Sequence, residues 1–142
     1  MNDKLKQYCD RLQEEVKLAE TSLARVGQHL VSPELTPLAD WKTLLQAATT
    51  ECKAKREPAQ QAAQRVKAWL EEVENKTGAP LDESNLDREA IQAESQADKE
   101  EGLALDAMRV AAHALLQAEL AILTAFKTRK TAFDLERFRN VF

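Results

Sequence analysis

The sequence predicts an all-α fold: an elongated antiparallel three-helix bundle of the coiled-coil kind, with a two-helix hairpin extension and a very long third helix. Three observations lead there. Ala, Gln, Glu, Lys, Arg and Leu dominate the chain, and these are strong helix formers. Apolar residues recur at alternating spacings of four and three over long stretches. Glycine and proline are few, three and four in number, and Pro33, Pro37, Gly78 and Pro80 mark the joints between those stretches.

The first stretch runs from about Asp3 to Leu30. Its stripe is Leu5, Cys9, Leu12, Val16, Ala19, Leu23, Val26 and Leu30. It stops at Ser32-Pro33, because the residue before proline avoids helical geometry. The second stretch begins at Thr36-Pro37, a capping hydroxyl followed by proline at the first helical position. Its stripe passes through Leu38, Trp41, Leu45, Ala48, Cys52, Lys55, Ala59, Ala62, Val66, Trp69 and Val73. The stripe keeps its phase across Pro58, which predicts a kink and not a break. Lys76-Thr77-Gly78, with Pro80 beyond, ends it.

The third stretch starts near Ser84, with Asp87 three residues on as in a capping box, and continues to about Arg139. Gly102 lies inside it and weakens it by roughly 1 kcal/mol relative to alanine. One face is an alanine stripe at heptad spacing from Ala90 to Ala125, with Leu86 before it and Glu100 within it. A second face carries Leu105, Met108, Ala112, Leu115, Ile122 and Phe126.

Short joints make neighbouring helices antiparallel. Turns near Glu34 and Leu81 then place Trp41 beside Val26 on one side and Ala121 on the other. The same register sets Leu45 against Ala118 and Trp69 against Ala93. Large residues of the second helix oppose alanines of the third, so Ala118→Leu is expected to overpack the core. The first helix reaches only the level of Ala62 and Glu100. This leaves residues 63–99 as a projecting hairpin and residues 126–142 as an overhang within a single helical domain, 1–142.

Composition narrows the function. A length of 142 residues suits one domain, and 44% hydrophobic with 31% charged residues excludes a disordered chain. The amino-terminal stretch MNDKLKQYCDRLQEE carries charge from its third residue and reads as no signal segment. The longest apolar run, Val110 to Phe126, contains His113, Gln117 and Glu119. It falls short of the roughly 20 residues that span a bilayer, so the expectation is a cytoplasmic protein without a transmembrane segment.

Catalytic chemistry finds little footing. His29 and His113 lack a carboxylate at the spacing of a di-iron Glu-x-x-His pair. The isolated glycines build no phosphate loop. The doublets Glu14-Glu15 and Glu71-Glu72 read as solvated helix faces, not as a magnesium site. Cys9 and Cys52 sit at heptad core positions and read as small hydrophobes. No enzyme activity, catalytic residue, metal or cofactor is assigned.

Charge is uneven. Residues 82–101 hold eight acids and two bases, while residues 126–142 hold five bases and two acids. The basic tail also holds Phe126, Phe133, Phe138 and Phe142. Large apolar anchors rimmed by Lys130, Arg137 and Arg139 resemble what a helix presents to a partner's groove. Trp69, Leu116, Leu120 and Leu123 are expected to lie beyond the cover of the first helix and to add to such a surface. The sequence therefore predicts a non-enzymatic coiled-coil module, an adaptor, scaffold or assembly factor, that binds a protein partner or a second copy of itself. The alternative is a protein that coats an anionic surface, nucleic acid or lipid, through the tail. A net charge of −4 and scarce interleaved aromatics disfavour nucleic acid.

Overall fold

Residues 3–31, 33, 36–75 and 83–141 are described by a computed structural model of the chain. They form three helices: α1 over Asp3–His29, α2 over Leu38–Asn75 and α3 over Leu86–Val141. No strand occurs among the described residues. Contacts of α3 with both other helices are those of a helical bundle. The expected stops at Ser32 and at Lys76-Thr77-Gly78, together with Pro80, Leu81 and Phe142, lie outside the described residues.

Local chemistry explains the observed ends. The Leu30 amide donates to the Val26 carbonyl at 3.2 Å, and the Val31 amide donates to the Gln28 carbonyl at 3.1 Å, closing the last turn of α1. The Pro37 carbonyl accepts from Asp40 and Trp41, so α2 begins where the proline pattern placed it. Proline at position 58 lies inside α2, which continues as helix on both sides of it. A short 3₁₀ turn, Glu83–Asn85, leads into α3. Asn85 caps its first turn: the Asn85 Oδ1 accepts the Arg88 amide at 3.3 Å. Helix α3 is continuous through Gly102 and extends over 56 residues.

The chain divides into two compact units, each with segments from all three helices. Met1–Val16 and Pro58–Val110 make the first, and Lys17–Glu57 and Ala111–Phe142 make the second. In the second unit Trp41, Ala48 and Leu123 form the centre of the core, with Leu44, Leu45, Leu120 and Phe126 packed around them. Trp41 sits between α1 and α3 as the register requires, with the rings of His29 on one side and Phe126 on the other. In the first unit Ala59, Ala62, Leu103 and Leu105 are buried. The apolar stripe of α2 holds at Trp41, Ala48, Cys52, Ala59 and Ala62, whereas Lys55 and Val73 face solvent.

Helix α3 is turned differently from the expectation. The alanine stripe is solvent-facing at Ala90, Ala93, Ala97, Ala107, Ala111, Ala114, Ala118, Ala121 and Ala125. The inner face lies elsewhere on the helix: Leu103, Asp106 and His113 are one residue, about 100°, from the stripe, and Leu116 and Leu123 are two residues from it, on nearly the opposite side. Burying a leucine removes far more apolar surface from water than burying an alanine, so the leucines take the interior. The alanines serve helix propensity instead. Facing pairs across α2 and α3 accordingly slide toward the carboxyl end of α3. Cys52 meets His113, Arg65 meets Asp106 and Glu72 meets Lys99.

Helix α1 shows a related change. Leu12, Val16, Ala19 and Val26 are partly covered, but Leu5, Cys9, Leu23 and Leu30 are exposed. Tyr8, Ser22, Arg25 and His29 take the covered positions. A straight helix drifts by about 20° per heptad, which allows the seam to wander off a strict heptad stripe. The amino end of α1 also reaches farther along α3 than expected, since Lys4 pairs with Glu94 and Asp98.

The inverted packing of α3 makes a direct prediction. Leu123→Ala should lower the unfolding free energy by roughly 2–5 kcal/mol, as for a large core side chain removed. Ala118→Leu should change it by less than about 0.5 kcal/mol. Urea denaturation of both variants checks the contrast, and a large loss in Ala118→Leu would put the alanine stripe back in the core.

Candidate functional site

The seam that α3 presents to the core of the second unit does not end with the core. Leu116, Leu123 and Phe126 are followed on the same helix face by Lys130, Phe133 and Arg137, at spacings of four, three and four. The first three are covered, whereas Phe133 and Arg137 are exposed. Helix α1 stops at His29 and α2 begins at Leu38, so the seam outruns the helices that cover it.

At this place the structure forms an open recess of about 560 Å³. Trp41, itself 1% exposed, contributes to it together with Phe126 and Pro33. The Trp41 and Phe126 ring centroids lie 5.4 Å apart at 58°. Phe133 stands at the rim with the Arg137 guanidinium 5.9 Å over its ring, a cation–π arrangement. Arg129, Lys130 and Asp134 complete the rim, so the mouth carries net positive charge. Residues beyond Phe126 thus have Pro33 and Trp41 as neighbours on one face, contrary to the expectation of a fully unaccompanied overhang.

The expected site residues separate. Phe126, Lys130, Phe133 and Arg137 come together at the recess. Phe138 is exposed, about 100° from Arg137 around the helix, and lies with Leu135 away from the recess. Arg139 is exposed farther round the helix still. Leu116 and Leu123 are buried at 5% and 1%, and Leu120 packs against Trp41's cluster, so these leucines are the chain's own core and not an uncovered patch. Trp69 belongs to the first unit, where it lines a different recess with Arg11 of α1, Leu103 and Leu105. Helix α1 does reach it, and Ala93 is exposed elsewhere. No residue pattern signals that Trp41 and Pro33 meet the tail, although the place of Trp41 in the core stripe is readable.

Two buried carboxylates on α3 fix its rotation. In the first unit Asp106 accepts from Arg65 Nε at 2.7 Å and Arg65 Nη2 at 2.9 Å, and from Arg109 Nη1 at 3.1 Å. Arg109 also reaches Glu15 of α1 at 3.6 Å. In the second unit Glu119 accepts from Arg25 Nε at 3.0 Å and lies 3.3 Å from His29 Nε2. Arg25 donates onward to Glu51 at 3.1 Å, tying α1 to α2. The Glu119 hydrogen bond raises the Arg25 guanidinium above its ordinary value. The bidentate bond from Arg65 holds Asp106 below the usual carboxylate range, against the opposing effect of burial. Cys52 Sγ lies 3.7 Å from His113 Nε2 in the same interior, so Cys52 is a core thiol, whereas Cys9 is exposed.

No protein-family model, characterised protein or solved structure matches the chain. The reading of the site therefore rests on its own geometry.

Asp106 gives the packing of the first unit a pH dependence. Its folded value lies below its ordinary one, so the Arg65 bond adds stability above the ordinary carboxylate range. The contribution is lost as pH falls through the lowered value. Asp106→Asn should reduce the unfolding free energy by roughly 1–2 kcal/mol at neutral pH, the lower part of the range for a charged hydrogen bond because Arg65 is half-exposed. Urea titrations at neutral pH and in acid should show the gap between wild type and variant closing in acid; a gap independent of pH contradicts the assignment.

Proposed function

We propose that the chain is a non-enzymatic, self-associating helical interaction module that docks through the carboxyl end of α3. The carrying observation is the recess of Trp41, Phe126 and Phe133, where an apolar seam continues past the helices that cover it. Exposed aromatic surface of this kind, rimmed by arginine, is enriched in the anchors of protein interfaces. Phe133 at 56% exposure and Leu135 and Phe138 at 64% add apolar area on the same terminal turns.

Helix α3 is long and apolar enough by length and composition to cross a bilayer, with an 18-residue window of mean hydropathy 1.3. The bundle reading accounts for the same helix differently. Its Asp106, His113 and Glu119 are buried against partners on other helices, as a core helix requires. The cluster of Arg129, Lys130 and Arg137 favours a second reading, a tail that lies on an anionic surface. Apolar side chains on more than one face of the terminal turns, Phe133 on one and Phe138 on another, fit a planar surface less well than they fit a protein partner.

Removing residues 131–142 tests the proposal. The truncated chain should keep its helical circular dichroism and lose self-association in light scattering. A truncated chain that unfolds, or that associates as the full chain does, is the contrary result.

A further inference from the structure

The recess at the end of α3 has a chemistry that selects its occupant. Its floor is aromatic, from Trp41 and Phe126, and its rim places Arg129, Lys130 and Arg137 against the single acid Asp134. An occupant must bring apolar side chains and negative charge together. A second copy's basic tail fails this condition, because it would set like charges face to face. The start of α3 meets it. Leu86 and Ile91 are exposed there at 61% and 70%. Glu83, Asp87 and Glu89 surround them, with Arg88 as the local base, within a stretch of eight acids and two bases over residues 82–101. In the first turn of α3 Leu86, Asp87 and Arg88 are exposed and Glu89 is partly so, and these side chains are available to another molecule.

We infer that the recess receives the acidic beginning of α3 from a second copy of the chain, in a head-to-tail contact. This rests on the reading of the recess as a docking surface and names what docks. Leu86 supplies the apolar anchor for the aromatic floor, with Ile91 on a neighbouring face of the same helix, and the carboxylates of Glu83 and Glu89 beside Leu86 meet Arg129, Lys130 and Arg137. Such a contact is heterologous: each copy offers one acidic head and one basic recess. Association then continues from copy to copy unless the ring closes.

Charge exchange in the full chain tests this. A head variant carries Glu83→Lys, Asp87→Lys and Glu89→Lys. A recess variant carries Arg129→Glu and Arg137→Glu, both at exposed positions. Circular dichroism establishes that each is folded, and light scattering over a concentration series reads the association. Wild type should grow in mass with concentration, less so as salt is added. Each variant alone presents like charges at every contact, and its association should weaken by more than about tenfold. An equal mixture of the two should recover the wild-type association, because every head then finds a recess of opposite charge. A head variant that associates like wild type, while removal of residues 131–142 still abolishes association, overturns this occupant and leaves the docking surface standing. A wild-type chain that stays monomeric at every concentration overturns both.

Discussion

Everything in this structure follows from an inequality of length. Helix α3 has 56 residues, against 27 in α1 and 38 in α2. An apolar seam is stable only where another helix covers it, and α3 makes more seam than its neighbours can cover. Where cover exists, Leu103, Leu105, Leu116 and Leu123 are buried. Where cover ends, the same face turns into an aromatic recess with a charged rim. Core and candidate site are one stripe of residues, divided by where α1 and α2 stop.

Within the covered parts, direction is set by charge as much as by apolar area. Asp106 and Glu119 are both buried, and each takes a guanidinium from another helix. A buried carboxylate turned away from its guanidinium is left without a partner for its charge, which destabilises the packing. Rotating α3 to bury its alanines would strand both carboxylates away from Arg65 and Arg25. Within each unit the leucines and the acid thus agree on one rotation, and such agreement between levels is what specifies one packing among many.

That agreement also explains what could be read from the sequence. Helix bounds were legible because proline, glycine and capping residues act locally: Pro33, Pro37 and the polar run before Leu86 all mark real ends. Trp41 between two helices was legible because α2 has one clear stripe. The face of α3 was not. Its alanine stripe is the most regular pattern in the chain, yet alanine gains little from burial, so regularity misled. Nothing in the sequence pattern places Asp106 and Glu119 inside, since only the folded partners Arg65 and Arg25 reveal why they are buried. The recess was half legible. Phe126, Lys130, Phe133 and Arg137 stood out by composition, but the tail's two faces could be separated only once the rotation of α3 was known.

The two cysteines occupy opposite environments in consequence. Cys9 lies on the open side of α1, while Cys52 is enclosed beside His113. A thiol must meet its reagent to react, and an enclosed one does so only when the structure around it opens. The native chain therefore exposes one sulfhydryl to alkylation and withholds the other. The second becomes reactive only as the interior that holds it beside His113 opens, so the molecule carries its own chemical timer for local unfolding.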